Sequence, residues 1–260
     1  MILEFSTAWL LNYVLLLSRM AAFAVFIPIP GLRSSPAMAK VTLALTLSLV
    51  LAPLATAGVG TGALETPATI WMLTGLVMAE AVFGLAVGAA VALLIESFGL
   101  AAQILGFQAG YSYVNTVDPT TQVDATILNV FFTLLASLLF FAFDLHLFVV
   151  KAFAESLRNW PLGQFRTRPA DAEMMIRLGA TVVETGVRLA APVIGMLLLV
   201  DLTLGLLNQV NSRLQLLTLA FPAKIIAAVA LMYPLVRLAP RLFYDLAQET
   251  FTVIDALTQR

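Results

Sequence analysis

Six long apolar runs leave this chain little choice of fold. They cover Trp9 to Ile29, Val41 to Ala57, Ile70 to Ile95, Ile127 to Val150, Ala180 to Leu207 and Leu216 to Leu238. A helix crosses a hydrocarbon core of about 30 Å with roughly 17–25 apolar residues, and every run reaches that length. None alternates apolar and polar residues as a barrel strand does, so the spans are helices. A soluble domain carries roughly 25% charged residues, whereas this chain of 260 residues carries 11% and is 61% hydrophobic. The expectation is an all-α integral membrane protein of about six long apolar helical segments, some of them broken. The first run has Glu4 but no Lys or Arg before it, and Arg19 interrupts it. It therefore reads as a retained span and not as a signal peptide.

One stretch, Gly106 to Pro119, does not fit a simple span or a simple loop. It is polar, aromatic and glycine-containing, and Gln108, Ser112, Asn115 and Asp118 crowd into it between two apolar runs. Facing lipid, its unpaired backbone groups would each cost several kcal/mol. Irregular polar backbone at membrane depth persists only where protein buries it or where it lines a wet cavity. The segment is therefore expected to line or close a passage. The apolar pattern after Ile95 continues through Phe98 to Ile104, so the third helix runs on towards it. Gly84 and Gly88 form a GxxxG pair that lets two helix backbones approach closely, and Gly106 and Gly110 repeat the spacing. Asp118-Pro119 breaks the chain beyond.

Charges within apolar runs are the second constraint. Arg19, Glu80, Asp144, Glu184, Arg188, Asp201 and Lys224 lie inside or at the edges of the runs. Each costs roughly 2.5–3.5 kcal/mol at a lipid-exposed helix centre, so they must pair, face protein or lie near an interface. Glu184 and Arg188, four residues apart, can pair on one helix face. Asp144 and His146, two apart, point to different faces and form no paired site. Acids and bases are mixed and scattered, which favours a structural role over a proton path built from a chain of carboxylates.

The function classes that composition excludes are several. Without cysteine there is no disulfide, thiolate metal site, iron–sulfur cluster or cysteine nucleophile. A single histidine speaks against a His-based metal site. No HExxH, GxSxG or P-loop pattern is present. No enzyme, cofactor or metal is expected, and a net charge of −1 gives no pointer to nucleic acid. The connection Lys151 to Gly179 holds five basic residues, which with the basic tail places both chain ends in the cytoplasm. Pro240 is expected to begin an amphipathic tail, with Leu242, Phe243, Leu246, Phe251, Ile254 and Leu257 on its apolar side.

The chain resembles the FliR/SctT family of the type III secretion export apparatus. The resemblance runs along essentially the whole length. It is carried by Gly106-Phe-Gln-Ala-Gly110 with Asp118-Pro119, by Asp144-Leu-His146 and by Ser156-Leu-Arg-Asn-Trp-Pro-Leu-Gly163. It continues in Ala191-Pro192, Asp201-Leu-Thr-Leu-Gly205 and Phe221-Pro-Ala-Lys224. The pattern departs from the family in the turn between the last two runs, where Asn208 stands in place of a frequent Arg. The resemblance implies a non-enzymatic subunit that packs as helical hairpins within a hetero-oligomeric export gate. It implies FliP and FliQ as core partners, FlhB and FlhA as further members of the apparatus, and unfolded flagellar proteins as export substrates. The implied location is the bacterial inner membrane, in the flagellar basal body. Residues 1–179 would be a FliP-like part, 180–238 a FliQ-like hairpin and 239–260 the tail.

The same resemblance implies that the central segment forms a plug, with Gly106, Phe107, Gln108, Gly110, Tyr111, Ser112, Tyr113, Val114, Asn115 and Thr116 as its residues. It also implies that the charged helix faces are buried against FliP and FliQ rather than lipid, and that part of the gate is lifted out of the bilayer plane. The alternative reading is a stand-alone secondary transporter with a midplane site at broken helices. That reading calls for two matching halves, and none is visible.

Overall fold

The computed structural model describes residues 7–26, 37–57, 69–110, 126–210 and 216–259. Among these the chain is helical apart from short turns, and no strand occurs. The helices are α1 (Thr7–Phe26), α2 (Ala37–Ala57), α3 (Ile70–Gln108), α4 (Thr126–Ala142), α5 (Leu145–Asn159), α6 (Pro169–Val210) and α7 (Leu216–Thr258). Helices α1, α2, α3, α6 and α7 are each long and apolar enough to cross a membrane, and the α4–α5 pair makes a sixth candidate span. The protein is an all-α membrane protein, as its apolar runs require.

Three boundaries differ from the hydropathy pattern, each for a local reason. The run Ile127 to Val150 is not one straight helix, because the chain bends by 62° between α4 and α5. Asp144 sits at the bend with φ 55°, a left-handed conformation that Asp tolerates better than most residues. Helix α6 begins at Pro169, well before its apolar run. Proline suits the first helical position because its missing N–H has no intrahelical acceptor there. The Asp171 carboxylate accepts a hydrogen bond from the backbone N–H of Arg168 at 2.8 Å, closing one half of a capping box. Helix α7 does not stop at Pro240. It continues through Pro222, Pro234 and Pro240 to Thr258, because membrane helices tolerate the lost N–H and the carbonyl clash that break a soluble helix at proline.

Two compact units result. The first gathers residues 1–93, 140–179 and 248–260, and the second residues 94–139 and 180–247. In the first, Phe23, Phe83, Phe153 and Phe165 are all buried. Their rings meet edge to face, with centroids 4.7 Å apart for Phe23–Phe153 and 4.9 Å for Phe83–Phe165. Helices α1 and α3 cross there at Gly84, where a Cβ would overlap the carbonyl oxygen of Arg19. The neighbouring Gly88 has the same relation to Phe23, at 2.9 Å. The end of α7 packs back on α5 in this unit, with Phe251 against Phe148 at 4.2 Å and the Asn159 amide donating to the carbonyl of Thr258. The apolar side read for the tail is thus covered by the chain itself. In the second unit, Phe98 and Phe243 pack edge to face at 5.4 Å and Phe132 is fully buried beside Phe98. Gly186 of α6 lets that helix approach α3, where its Cβ would lie 2.9 Å from the carbonyl oxygen of Ser97.

Candidate functional site

Helix α3 delivers the start of the glycine-containing segment. Its last turns hold Leu105 and Ala109 buried, while Phe107 is 75% exposed. Beyond Gln108 the ladder ends in a turn, in which the N–H of Ala109 donates to Leu105 and that of Gly110 to Phe107. Gly110 has φ 85°, where a side chain would be strained and glycine is not. Of the residues read as a plug, Gly106, Phe107, Gln108 and Gly110 are therefore placed at the end of a long helix. Tyr111, Ser112, Tyr113, Val114, Asn115 and Thr116 lie outside the described residues.

Gln108 does not stand alone. Its Nε2 lies 3.3 Å from Oδ2 of Asp201 on α6, and the other carboxylate oxygen of Asp201 lies 2.6 Å from Nζ of Lys224 on α7. The three residues form one polar cluster in the second unit. Its side chains are not sealed, with 18% of Lys224 and 37% of Asp201 exposed. Sequence reading flags Asp201 and Lys224 as charges needing an answer, and the fold answers them with each other.

The first unit holds a deeper pair. Arg19 of α1 and Glu80 of α3 are both fully buried, with Nε 2.5 Å from Oε2. The other oxygen of Glu80 accepts the backbone N–H of Gly163 at 2.8 Å, and Arg19 also donates to Oγ of Ser156 at 3.0 Å. The guanidinium lies over the Phe83 ring, 4.5 Å from its centroid, which adds a cation–π attraction between two fully buried groups. Two helix-borne charges, a hydroxyl, a loop amide and a ring thus meet in one buried cluster, in which Nη2 of Arg19 is left without a hydrogen-bond partner. Ser156 and Gly163 were not picked out individually from the sequence. They lie 137 and 83 residues from their partners, and no periodic pattern links residues so far apart.

The remaining charges separate into different settings. Glu184 and Arg188 pair at 2.5 Å as their spacing predicts, but both side chains are more than half exposed. Asp144 is exposed at the bend, and no side-chain hydrogen bond from it caps α5. His146 packs beside the Phe141 ring with centroids 5.2 Å apart. Of the seven charges read from the apolar runs, the structure buries Arg19 and Glu80 outright, half-buries Asp201 and Lys224, and leaves Asp144, Glu184 and Arg188 at the surface of this chain.

Comparison with known proteins finds relatives along most of the sequence. The family model for bacterial export proteins, family 1, matches residues 10–250. The flagellar biosynthetic protein FliR of Escherichia coli strain K12 is 27% identical over 247 residues, which is 95% of this chain and 92% of that protein. The FliR protein of Caulobacter vibrioides is 29% identical over 218 residues, covering 84% and 85%. That of Bacillus subtilis strain 168 is 24% identical over 221 residues, covering 82% and 81%.

Proposed function

Because this chain belongs to the bacterial export proteins, family 1, we propose that it is a structural subunit of the flagellar type III export gate. With FliP and FliQ it forms the channel through which unfolded flagellar proteins leave the cell, and it contributes a plug to the closed state. The likeness to FliR along nearly the whole chain carries this reading. It makes the protein a component of the flagellar export apparatus, held in a bacterial membrane, and in this reading that membrane is the inner one at the basal body. FlhB and FlhA are its further partners, and the energy for export comes from other components, a cytoplasmic ATPase and the proton-motive force acting through FlhA, and not from this chain.

The surface of the chain supports a multi-subunit setting. Ile127, Val130, Leu134 and Leu138 recur along one exposed side of α4, and Leu198, Leu199, Leu202 and Leu206 are exposed on α6. On that same helix the exposed Glu184–Arg188 pair is unsuited to lipid. Apolar and charged patches on one long helix fit protein partners better than hydrocarbon alone. In this reading residues 1–179 correspond to a FliP-like part, 180–238 to a FliQ-like hairpin and 239–260 to the tail. Arg19 and Glu80 hold the subunit together internally, and Asp144, Glu184, Arg188, Asp201 and Lys224 are available to neighbours.

The plug runs from Gly106 through Thr116. Phe107, Tyr111, Tyr113 and Val114 supply the apolar groups that exclude water and ions, and Gln108, Ser112, Asn115 and Thr116 supply the polar ones. Gly106 and Gly110 give the backbone freedom to move aside for a substrate.

Native mass spectrometry after co-expression with FliP and FliQ tests the assembly. One large complex holding a single copy of this chain with several copies of each partner is the expected result. A stable monomer or symmetric dimer that ignores those proteins would favour a stand-alone transporter. Replacing Gly106 to Asn115 with a shorter Gly/Ser linker tests the plug, and the assembled gate should then leak ions. An unchanged conductance would remove the plug assignment.

A further inference from the structure

We propose that the cleft between the start of α1 and the end of α2 is a phospholipid site, in which the Asn12 amide donates a hydrogen bond to an ester carbonyl at the glycerol backbone of the lipid. The proposal needs α1 and α2 to cross a membrane and does not depend on the gate reading.

Contacts within the first unit fix the level of this cleft. Lys40 near the start of α2 donates through Nζ to the carbonyl of Val25 near the end of α1, at 3.2 Å. Ala52 and Ala55 near the end of α2 meet Trp9, Asn12 and Tyr13 near the start of α1, so the two helices run antiparallel. Tyr13 and Ala52 stand level, each 12 residues from the Lys40 contact. Helix α3 runs parallel to α1, because Gly84 meets the backbone of Arg19 and Gly88 that of Phe23. In that register Trp9 stands level with Thr74, and Trp71 lies three residues away, about 4.5 Å along the axis. Trp71 is 81% exposed. Trp9, Tyr13 and Trp71 thus gather at one end of three spans, and such rings mark the boundary between hydrocarbon and headgroups. The ester carbonyls of a bilayer lie at that same boundary.

The chemistry of the cleft selects a neutral acceptor. Trp9, Asn12, Tyr13 and Leu16 line it from α1, with Ala52 and Ala55 opposite. The Trp9 and Tyr13 rings stack, with centroids 5.5 Å apart. The short alanine side chains leave a space of about 10 Å³, room for one water-sized group and not for a headgroup. Asn12 is 8% exposed, and among the described residues none hydrogen-bonds its side chain. Buried polar groups ordinarily have a partner, and the amide nitrogen offers two donors. Among the described residues no charged side chain lines the cleft. A phosphate calls for Arg or Lys, whereas one carbonyl oxygen matches one amide donor. Within a turn of the lining residues, Leu10 and Val14 on α1 and Leu49 and Val50 on α2 are exposed, an apolar surface along which acyl chains can lie.

Trp9 reads the site directly once Trp71→Phe and Trp160→Phe leave it as the one tryptophan of the chain. The full chain in mild detergent is titrated with phosphatidylcholine brominated on its acyl chains, which quenches a ring that it touches. Ester-linked lipid should quench at a concentration about fivefold lower than its ether-linked analogue, which has no carbonyl. That is the factor supplied by one hydrogen bond between neutral groups. Asn12→Leu should bring the ester lipid to the ether value and leave the ether lipid unchanged. Phosphatidylglycerol should match phosphatidylcholine at low and high salt. Equal midpoints for ester and ether lipid overturn the proposal, and so does an ester preference that persists in Asn12→Leu. Tighter binding of phosphatidylglycerol that salt weakens would mean that headgroup charge is read instead of the carbonyl, and overturns it too. Should Asn12→Leu fail to fold, Ala52→Leu fills the cleft from α2 and carries the test. Loss of the ester preference in that variant supports the site, and its retention overturns it. The same preference is expected in the complex with FliP and FliQ. Its loss there would make a neighbouring subunit the occupant and overturn the lipid. Failure of that complex to form would remove the gate reading, and the titration of the chain alone would still decide the lipid site.

Discussion

Arg19 shows most clearly how a single side chain can be decisive in an apolar chain. Its guanidinium is fully buried and meets Glu80, Ser156 and the Phe83 ring. Removing one member of a buried pair leaves the other uncompensated, at a cost of about 3–5 kcal/mol. Arg19→Met should therefore lower the Tm of the detergent-purified protein sharply. Glu80→Gln should do the same, because it strands Arg19. The double variant Arg19→Met/Glu80→Gln should recover most of the loss, since Gln still offers an oxygen to the N–H of Gly163. Thermal unfolding followed by circular dichroism gives the order, and a double variant no better than either single one would mean that the pair is not the unit that matters. Gly84 makes a second test. A methyl there would press into the Arg19 carbonyl, and Gly84→Ala should cost roughly 1–3 kcal/mol as an overpacked contact. Gly195→Ala meets nothing within 4 Å and should be neutral or slightly stabilising in the same measurement. At this scale the sequence says which residues need a partner but not which partner they take. Cost is local, and can be read from a charge inside an apolar run. Pairing depends on contacts between residues 61 apart, as for Arg19 and Glu80, which no helical period encodes.

At the scale of elements the apolar pattern predicts more and errs in a consistent way. It places the spans, because hydrocarbon thickness sets their minimum length. It misses how far helices extend beyond the apolar part, as in the start of α6 at Pro169, and it separates at Pro240 two helical stretches that form the single helix α7, Leu216–Thr258. Hydropathy reports the solvent around a helix, whereas backbone hydrogen bonding decides where the helix stops. The bend at Asp144 is invisible for the opposite reason, since apolar residues continue on both sides of it. Its left-handed backbone yields a prediction. Asp144→Val introduces a β-branched side chain where even an unbranched one is strained, and should cost about 1–2 kcal/mol. Asp144→Asn and Asp144→Gly should stay near wild type. Export-dependent motility and Tm measured together would check it, and an undisturbed Val variant would mean that the bend is not held by this residue. The GxxxG pair Gly84/Gly88 is an element-scale signal that the fold uses as written, for the close approach of α1 to α3.

For the whole molecule, the family is legible because its motifs are spread in order along the entire chain. The segment read as a plug is less so: Gly106 and Gly110 are placed at the end of α3, and Tyr111 to Thr116 fall beyond the described residues. Its tie to Asp201 could not be anticipated, since Gln108 and Asp201 lie 93 residues apart. Helices α3, α6 and α7 have 39, 42 and 43 residues, and at 1.5 Å per residue each is roughly 60 Å long, about twice the hydrocarbon thickness. Lipid alone therefore cannot match their full length. The expectation is that co-expression of FliP and FliQ raises the steady-state amount of this protein several-fold, read by immunoblot of membranes. Equal amounts with and without them would show that the chain is complete by itself.

The exposed Glu184–Arg188 pair carries a consequence for a copy of this chain that stands alone. Each of its charges, set against hydrocarbon, costs roughly 2.5–3.5 kcal/mol at a helix centre, and on this chain each has the other beside it while more than half of both side chains stays uncovered. A solitary copy therefore settles with this part of α6 towards water or towards another protein surface, and the pair sets how deep the helix can sit.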